Sequence, residues 1–417
     1  MIPAASDVLI AGAGPAGAHL ALRLARAGWS VTLIDKRTFP RPKPCGEFMS
    51  PECLPLLEDV GLREETLALG ARRVAGMHIH GYGHAARGRY APVGRARATF
   101  DHGYAVRREA LDALAVRRAE RTGGVHLCEG FALDALLRDG AGRVLGARVI
   151  DPARESHEVR AAFTIGADGL QSRVARQLGA ARSIPWLQRY AIVARFASPP
   201  DDLAEVHLFP GGYFAAAPIE GGAFTVNLVV GADFLTGGGA EGLERDFRRA
   251  LLSAPALAER LAGAAPLEPL RACGPLSGTT VRQVFDGAAL VGDACGFVDP
   301  LTGEGLFFAM RGAELLTRDL ERALHAKRTD AGSLRDYARD RTRELGPRYA
   351  FARFLQRALR HPGLVERSLA QLERRPGLAD LVVALTGDYV PFRELARPAV
   401  WRRALRPAPR PALMQSP

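Results

Sequence analysis

The chain has 417 residues, of which 47% are hydrophobic and 24% charged, so it is long enough for two or three folded domains and shows no sign of wholesale disorder. Its formal net charge of +11 comes almost entirely from arginines spread along the chain, which argues against the clustered basic patch of a nucleic-acid-binding protein. The chain shows neither the roughly 18-residue apolar stretch of a membrane-spanning helix nor a signal-peptide pattern, so we expect a cytoplasmic protein.

Cysteines and histidines give no clear metal signature. The cysteines are odd in number and show no C-x-x-C spacing, so they predict neither a disulfide framework nor a zinc site. They are Cys45, Cys53, Cys128, Cys273 and Cys295. His78, His80 and His84 recur two and four positions apart, but no carboxylate or cysteine joins them at ligand spacing. We therefore expect exposed strand and loop histidines and no metal site.

The first predicted element is a buried parallel strand at residues 8–11, followed by a glycine-rich turn and a helix. In that turn, Gly12 permits the bend, Gly14 lets backbone approach a pyrophosphate, and Gly17 lets the helix pack against the strand. The positive end of the helix would face the phosphates. A second strand ends at Asp35, where a carboxylate can accept hydrogen bonds from an adenosine ribose. This order of elements predicts a bound dinucleotide.

The next part of the chain mixes loop, helix and short strands. Prolines and Gly46 predict an irregular loop at 41–51. The pattern after it predicts a helix at 53–60, short β-like pieces at 77–99, a helix at 104–121, two meander strands at 125–128 and 144–150, and an apolar strand at 163–167 that ends in Asp168 and Gly169.

A separate antiparallel layer is predicted between about 185 and 275. Its expected elements are strands at 190–196, 205–209, 213–218 and 224–230 and one helix near 241–262. A buried strand at 288–291 and a helix at 304–324 then resume the first pattern. Residues from 333 onward are mostly helical and arginine-rich, and the Pro-rich tail is expected to be disordered.

Three motifs stand in order along the chain. They are Gly12-Ala-Gly14-Pro15-Ala16-Gly17 with Asp35, then Gly166-Ala-Asp168-Gly169-Leu-Gln-Ser172, and finally the run GDACGFVDPLTGEG from Gly292 to Gly305. These motifs resemble the three FAD fingerprints of the flavoprotein superfamily typified by para-hydroxybenzoate hydroxylase. The Lys43-Pro-Cys45-Gly46-Glu47 loop and the DPLTGEG run are similar to the geranylgeranyl reductase family and related flavin monooxygenases. The resemblance covers about residues 5–325 and implies an FAD-dependent oxidoreductase.

The resemblance also implies the fold class. It predicts an α/β fold with a Rossmann-like FAD-binding domain of the glutathione reductase type, an inserted antiparallel β-sheet substrate domain and a C-terminal helical region. The expected boundaries are 1–75, 100–182 and 276–330 for the FAD-binding domain, 76–99 and 183–275 for the substrate domain, 331–405 for the helical region and 406–417 for the tail.

Cofactor contacts follow from the same resemblance, residue by residue. Arg108, in the run Arg108-Glu-Ala-Leu-Asp112, is implied to contact the flavin. Asp293 would accept hydrogen bonds from ribityl hydroxyls, because a carboxylate after a buried strand needs donors. Gly303 and Gly305 would leave backbone N–H groups and a positive helix end facing the flavin ring. The full expected set is Gly12, Gly14, Pro15, Ala16, Gly17, Asp35, Lys36, Cys45, Gly46, Arg108, Asp168, Gly169, Gly292, Asp293, Pro300, Gly303, Gly305 and Leu306.

Cys45 and Glu47 are the candidate catalytic residues. The family places the loop of Cys45 against the flavin, although a lone cysteine is more commonly a buried, unreactive thiol. Glu47 is either a loop-capping acceptor or an acid on the substrate side, and the sequence leaves both open. We expect an apolar substrate pocket between the flavin and the antiparallel layer, lined by Phe48, Met49, Tyr213, Phe214 and Phe297.

The family patterns leave more than one reaction open. Where geranylgeranyl reductases carry Tyr-x-Trp-x-Phe-Pro, the chain has Tyr213-Phe-Ala-Ala-Ala-Pro218. Where aromatic hydroxylases carry a histidine after Gly-Asp-Ala-Ala, the chain has Gly296, and the Trp-x-Trp-x-Ile-Pro element of halogenases is missing from the sequence. Hydroxylation of a polyketide- or isoprenoid-like molecule is therefore preferred, with reduction of a carbon–carbon double bond as the alternative.

Partners are only partly indicated. An electron-transfer flavoprotein serving a membrane quinone is a third reading, but it would need iron–sulfur cysteine spacing that the sequence lacks. The chain has no second G-x-G-x-x-G, so NAD(P)H would visit transiently if it is the reductant. The segment Trp401-Arg402-Arg403 could touch an anionic membrane surface, although a solvated helix end is the preferred reading. The oligomeric state stays open.

Overall fold

The structure is a computed structural model and describes residues 2–90, 100–199, 201–387 and 390–406. Its strands are β1 Ala5–Ala11, β2 Val31–Asp35, β3 Phe48–Met49, β4 Arg72–Val74, β5 Gly76–Gly81, β6 His84–Arg89, β7 Gly103–Ala105, β8 Val125–Glu129, β9 Ala132–Arg138, β10 Val144–Ile150, β11 Ser156–Gly166, β12 Ala181–Arg182, β13 Arg189–Ala197, β14 Leu203–Phe209, β15 Gly212–Ile219, β16 Ala223–Gly231, β17 Arg271–Cys273, β18 Gly278–Thr280, β19 Val284–Phe285, β20 Ala288–Leu290 and β21 Gly296–Phe297. Its α-helices are α1 Pro15–Arg26, α2 Cys53–Asp59, α3 Arg63–Ala68, α4 Arg108–Arg121, α5 Arg173–Gln177, α6 Gly239–Leu251, α7 Pro255–Arg260, α8 Gly305–His325, α9 Arg335–Ala358, α10 Pro362–Arg374, α11 Pro376–Thr386 and α12 Pro398–Ala404.

An eight-stranded sheet forms the part of the molecule that we call the parallel half; it is parallel except for β19 and for β9 and β10, which extend it antiparallel from β11. Its order is β19-β20-β11-β1-β2-β8, and β20, β11, β1, β2 and β8 all run parallel. Alternating residues of β1 enter two cores: Val8 and Ile10 pack with α1 and α8, and Leu9 packs on the opposite face. Both faces of β1 are therefore covered, which explains its uninterrupted apolar run.

Three predicted elements of the chain differ from the structure. Residues 125–128 were expected in a meander, but β8 pairs parallel with β2 because α4 crosses over between them. The helix expected at 104–121 begins only at Arg108, since residues 103–105 form β7. The single helix expected near 241–262 is two helices, because Pro255 lacks an N–H and starts a new helix as its first residue.

The second sheet contains seven strands in the order β17-β13-β16-β15-β14-β5-β6, antiparallel except between β14 and β5. We call the face that carries Arg195, Tyr213 and Asn227 the inner face, because its side chains meet the parallel half. The outer face carries Phe214 and Phe224, which pack under α6 and α7. Since strand residues alternate between faces, one strand supplies both surfaces.

C-terminal helices complete the fold. Helices α10 and α11 pack against β5 and β6, where Ile79 joins a core with Leu369 and Val383. These elements confirm the expected class of a Rossmann-like parallel sheet, an antiparallel sheet and a helical C-terminal region.

Among the described residues, no helix combines the length and apolar character needed to cross a membrane. Trp401 donates its ring N–H to the Leu395 carbonyl at 2.8 Å, and membrane contact by this segment stays a prediction. The tail predicted to be disordered spans residues 406–417, of which 407–417 lie outside the described residues, as do the β-like pieces predicted at 91–99.

Candidate active site

The glycine turn between β1 and α1 is shaped by contacts that leave no room for side chains. Gly12 has φ +101°, and a Cβ there would lie 2.4 Å from the Ala167 carbonyl oxygen. A Cβ on Gly17 would lie 1.8 Å from the Gly12 carbonyl oxygen. Gly14 differs, because the nearest atom to a Cβ there is Arg41 Nη2, at 3.7 Å. The space in front of Gly14 and the N terminus of α1 is thus open, as a bound pyrophosphate requires.

Asp35, the predicted ribose acceptor, is buried at the end of β2. Its Oδ2 accepts the Ala13 N–H at 3.0 Å, and its Oδ1 accepts the Arg37 N–H at 2.9 Å. Each carboxylate oxygen has two lone pairs, so Asp35 can hold the turn and still accept from a ribose hydroxyl. Lys36, beside it, is exposed.

Arg41 was missed by sequence reasoning. Its Nη2 lies 3.6 Å from Asp35 Oδ2 and 3.8 Å from Asp112 Oδ2, in front of Gly14. A guanidinium is suited to bidentate phosphate contacts, so this position fits a cofactor phosphate. The available signal was an arginine between two prolines, shortly after the ribose acid.

Arg108 and Cys45 come together at the start of α4. Arg108 donates from Nε to Asp112 Oδ1 at 2.9 Å and from Nη2 to Asp112 Oδ2 at 3.0 Å. Its Nη1 donates to Cys45 Sγ at 3.4 Å. Burial by itself would lower the pKa of Arg108, but the Asp112 carboxylate and the Cys45 sulfur raise that pKa overall. A permanently charged guanidinium is therefore held against a half-buried thiol.

The second motif caps a short helix. Asp168 Oδ2 accepts the N–H groups of Arg173, at 2.6 Å, and Val174, at 3.2 Å, where α5 begins. Burial raises the pKa of Asp168, and those hydrogen bonds oppose the rise. Gly169 has φ +79° and open space at its Cβ position. This turn lies at the carboxyl end of β11, next to the end of β1.

The third motif begins at the same edge of the sheet. Gly292 has φ +64°, and a Cβ there would lie 2.8 Å from Ala16 Cβ, so this turn touches the start of α1. Asp293 is half-buried, and within the described ranges its carboxylate makes no hydrogen bond or ion pair. This carboxylate is free to accept hydrogen bonds from another molecule, and the hydroxyls of a dinucleotide are suitable donors.

The glycines at the start of α8 expose backbone to two aromatic rings. Gly303 has φ +71°, and a Cβ there would lie 2.8 Å from the Phe48 ring. A Cβ on Gly305 would lie 3.5 Å from the Phe297 ring. The first N–H groups of α8 have no acceptor within the helix, so they can bind an electron-rich group.

A buried tyrosine–aspartate pair joins the inner face to this turn. Tyr213 donates its hydroxyl to Asp299 Oδ1 at 2.5 Å, and the same oxygen accepts the Leu301 N–H at 2.9 Å. Burial raises the pKa of Asp299 to about 6 and, together with the Asp299 charge, the pKa of Tyr213 well above its usual value. Pro300 opens the following turn.

Glu47 is buried on the inner face. Arg195 donates to both of its carboxylate oxygens, from Nε to Oε2 at 3.3 Å and from Nη2 to Oε1. Arg195 also donates from Nη1 to Glu268 Oε1 at 2.5 Å. Burial raises the pKa of Glu47, and the Arg195 contacts oppose that rise. This placement corresponds to the loop-capping reading of Glu47, since its carboxylate already serves to attach the loop to the sheet.

Of the residues predicted to line the substrate pocket, Phe48 and Phe297 contact the turn at the start of α8, whereas Met49 and Phe214 lie in hydrophobic cores. Phe214 lies on the outer face, 5.4 Å from Phe247 between ring centroids, because it neighbours Tyr213 along the strand. Met49 is fully buried in the core beside the parallel sheet, with Leu306. Phe214 and Met49 therefore face away from the glycine turn that Phe48 and Phe297 contact.

Known proteins match this chain over most of its length. A family model described as "FAD binding domain" matches residues 5–345. The chain belongs to this FAD-binding family. Digeranylgeranylglycerophospholipid reductase 2 of Methanopyrus kandleri is 30% identical over 83% of this chain and 84% of its own length. Menaquinone reductase of Mycobacterium tuberculosis is 31% identical over 76% of this chain and 78% of its own. The myxobacterial chondrochloren halogenase, an FAD-dependent halogenase of known structure, superposes with a TM-score of 0.75 at 25% identity, over 84% of this chain and 82% of its own.

These matches confirm the resemblance inferred from the three motifs. The flavoprotein is an FAD-dependent oxidoreductase, and its cofactor is FAD. Its relatives include reductases and a halogenase, so the matches do not assign one reaction. The residues present fit FAD on two counts: the open backbone at Gly14 and the Asp293 carboxylate, which has no partner among the described residues.

Proposed function

We propose that this flavoprotein reduces a carbon–carbon double bond in an apolar, isoprenoid-like small molecule. Bound FAD supplies the redox chemistry, while the protein supplies binding, orientation and a proton. The observation that carries the proposal is the Cys45 thiol, which Arg108 contacts at 3.4 Å.

The contacts to FAD are part of the proposal. Gly14 and the N terminus of α1 would hold the pyrophosphate, with Arg41 beside it. Asp35 would hold the adenosine ribose and Asp293 the ribityl chain. Gly303, with the first N–H groups of α8, would face the ring.

Cys45 lies in a loop whose two ends meet different parts of the cofactor site. Arg41 reaches the open space at Gly14, and Phe48 packs on Gly303. The residues between them therefore pass along the cofactor, from its phosphates towards its ring. Cys45 is only half-buried in this loop, so a substrate above the ring can meet its thiol.

Reduction of a double bond adds a hydride to one carbon and a proton to the other, and bound, reduced FAD would supply the hydride. The Cys45 Sγ–H can provide that proton, and the thiolate left behind would be stabilised by the Arg108 guanidinium at 3.4 Å and the Glu47 N–H at 3.5 Å. Tyr213 is a poorer donor, because its hydroxyl is fully buried and already committed to Asp299.

The substrate class follows from the walls of the site and from the relatives. Phe48 and Phe297 give the turn an apolar lining. Both curated relatives described above, at 30% and 31% identity, carry the name reductase, and both names refer to lipids or quinones. For this reason we now place double-bond reduction ahead of hydroxylation, the reverse of the preference drawn from motifs alone.

Hydroxylation remains the second candidate because of one specific feature of the inner face. Ala215 and Ala217 share that face with Tyr213 and stand where the reductase pattern has Trp and Phe. Ala215 packs in one cluster with Tyr213 and Phe297, so a methyl group there occupies less of the site than an indole ring would, whereas Ala217 lies in the core beside the C-terminal helices. A bulkier ring system could be accommodated, as an aromatic hydroxylation requires.

One experiment separates the two reactions. The purified holoprotein is reduced without oxygen and mixed with a polyprenyl lipid, a menaquinone or a polycyclic phenol, while the flavin absorbance is followed. We expect the absorbance to return without oxygen for the polyprenyl lipid and the menaquinone, with two hydrogens added across a prenyl double bond. Two hydrogens gained only at the quinone oxygens would instead establish quinone reduction. Recovery that requires oxygen, with an oxygen atom added to the product, would instead establish hydroxylation.

Cys45→Ala tests the proton donor. We expect the turnover rate to fall by roughly 10²- to 10⁴-fold, as for loss of a general acid, with an unchanged FAD content. Cys128→Ala is the control, because it removes a cysteine of β8 that is buried in the core of the parallel sheet. Equal rates in Cys45→Ala and the wild type would remove the thiol from the mechanism.

A further inference from the structure

Four potential metal ligands form a square on the outer face of the antiparallel sheet. His78 and His80 alternate on β5, and Glu205 and His207 alternate on β14. The two strands are parallel neighbours in which Glu205 pairs with His78 and His207 pairs with His80. Because residues two apart share a face, all four side chains project from the same surface.

The side chains are already close to ligand distances. His207 Nε2 lies 2.8 Å from Glu205 Oε2, and ligand atoms of His80, Glu205 and His207 all lie within 4.8 Å of one another. Ligand atoms around a tetrahedral Zn²⁺ are separated by about 3.3 Å, given bonds of about 2.0 Å. The His80 and His207 rings stack at 4.5 Å between centroids with a 3° angle, and the His78 ring lies 3.7 Å from that of His80. Small side-chain rotations would bring the nitrogens onto one ion.

The surroundings suit ligation by neutral imidazoles. Glu205 and His207 are buried, whereas His78 and His80 are half-buried and open to an entering ion. An imidazole is mostly neutral at pH 7 and then carries the free lone pair that a metal ion needs.

Two arginines, one on each side of this site, carry a positive charge that opposes the binding of a metal ion. Arg87 of β6 pairs in register with His78. Arg260 of α7 contacts Glu205 Oε1 and, at 3.3 Å, Asp201. These cations oppose a second positive charge, but Glu205 Oε2 points to His207 and stays available once their shared proton is displaced.

The sequence pattern predicts no metal site here, because no carboxylate stands at ligand spacing from the histidines. The missing ligands come from residues more than 120 positions away, which the parallel pairing of β14 with β5 delivers. His84, the third histidine of the sequence pattern, is held by Glu373 at 2.8 Å instead.

We propose that His80, Glu205 and His207, with His78 as a fourth ligand, bind one first-row transition-metal ion of the Zn²⁺ type. Imidazole and carboxylate are ligands that Zn²⁺, Co²⁺ and Ni²⁺ share. The bound ion would join β5 to β14 on the face opposite Tyr213. It is therefore independent of the reaction at the FAD site and of the function proposed above.

The test uses the FAD-loaded protein after dialysis against a chelator. Zn²⁺ is titrated in competition with a chromophoric chelator, and thermal unfolding is followed with and without Zn²⁺. We expect one equivalent to bind and to raise the unfolding temperature, because a ligand of the native state stabilises it. Loss of the hydrogen-bond partner of a metal ligand weakens metal binding by about 10- to 100-fold. Because His80→Ala and His207→Ala each remove a ligand itself, we expect them to weaken Zn²⁺ binding by more than this, with the FAD content unchanged.

Two histidines serve as matched controls. His84→Ala removes the neighbouring histidine outside the square, and His157→Ala removes a histidine beside Asp151 and Glu155, which form a separate, more exposed cluster. Both variants should bind Zn²⁺ like the wild type. Absence of stoichiometric binding, binding that survives in His80→Ala and His207→Ala, or loss of binding in His157→Ala would each overturn the proposal.

Discussion

The parallel and antiparallel halves of this flavoprotein contribute different groups to the active site, namely backbone in the first and paired side chains in the second. In the parallel half the surface offered to FAD is mainly backbone, left open by glycines such as Gly14 and Gly169. In the antiparallel half it is anchored by buried side-chain pairs, Tyr213 with Asp299 and Arg195 with Glu47, whose partners stand 86 and 148 positions apart. The first kind of site depends on local chain geometry, and the second on how distant strands align.

The backbone site should fail when one methyl group is added to it. Gly14→Ala places a Cβ where the nearest protein atom is 3.7 Å away, with a φ of −69° that alanine adopts freely. We expect the variant to purify without FAD, because the methyl occupies the space of the pyrophosphate. The free energy of unfolding of its apoprotein should change by less than about 0.5 kcal/mol, as for a substitution without strain. Absorbance spectra and denaturant titrations measure the two quantities.

Controls for this prediction come from the same chain. Gly363→Ala, at an open position of α10, should leave the FAD content unchanged. Asp293→Ala should lower FAD affinity, since it removes acceptors for ribityl hydroxyls. Full FAD retention in both Gly14→Ala and Asp293→Ala would show that the cofactor lies elsewhere.

The paired side chains of the antiparallel half should be sensitive to the loss of one partner, which we expect to lower the stability of the protein. Arg195→Met leaves the buried Glu47 carboxylate without its counter-ion, so we expect the free energy of unfolding to fall by about 3–5 kcal/mol. Urea denaturation measures the change. The double variant Glu47→Gln with Arg195→Met should lose less than the sum of the single variants, because the unpaired charge is gone. Additive losses would mean that the two residues do not act as a pair.

The buried pair of Tyr213 and Asp299 should make the free energy of unfolding depend on pH. The pKa of Asp299 rises from 3.8 to about 6 on folding, so the native state holds this proton more strongly than the unfolded chain. Its contribution to stability is therefore complete below about pH 4 and is lost as the pH rises through about 6, a decrease of about 3 kcal/mol. Asp299→Asn keeps an acceptor for Tyr213 without the charge, and should be more stable than the wild type at pH 7 by a similar amount.

The matched control is Asp233→Asn at an exposed position. Denaturant titrations between pH 4 and pH 8 should give the same pH dependence for Asp233→Asn and the wild type. If Asp299→Asn also follows the wild-type curve, the Asp299 carboxylate is not the source of this pH dependence.

Local pattern explains which parts of the fold the sequence predicted. The strand–glycine–helix order of residues 8–26 and the acid at Asp35 are local features, and the structure has both. Residues 125–128 were assigned to a meander because an apolar run does not reveal the direction of its partner. Phe214 was placed in the pocket with Tyr213, although adjacent strand residues must face opposite sides.

The sequence by itself determined the FAD-binding family and the three motifs, because each motif needs particular residues at short, fixed spacings. Only the tertiary structure decided which side chains pair. It placed Arg41 in front of Gly14, joined Glu47 to Arg195, and brought Glu205 and His207 beside His78 and His80. The physical reason is that strand register between distant segments sets these contacts, and register is decided by the packing of the whole sheet rather than by any local pattern.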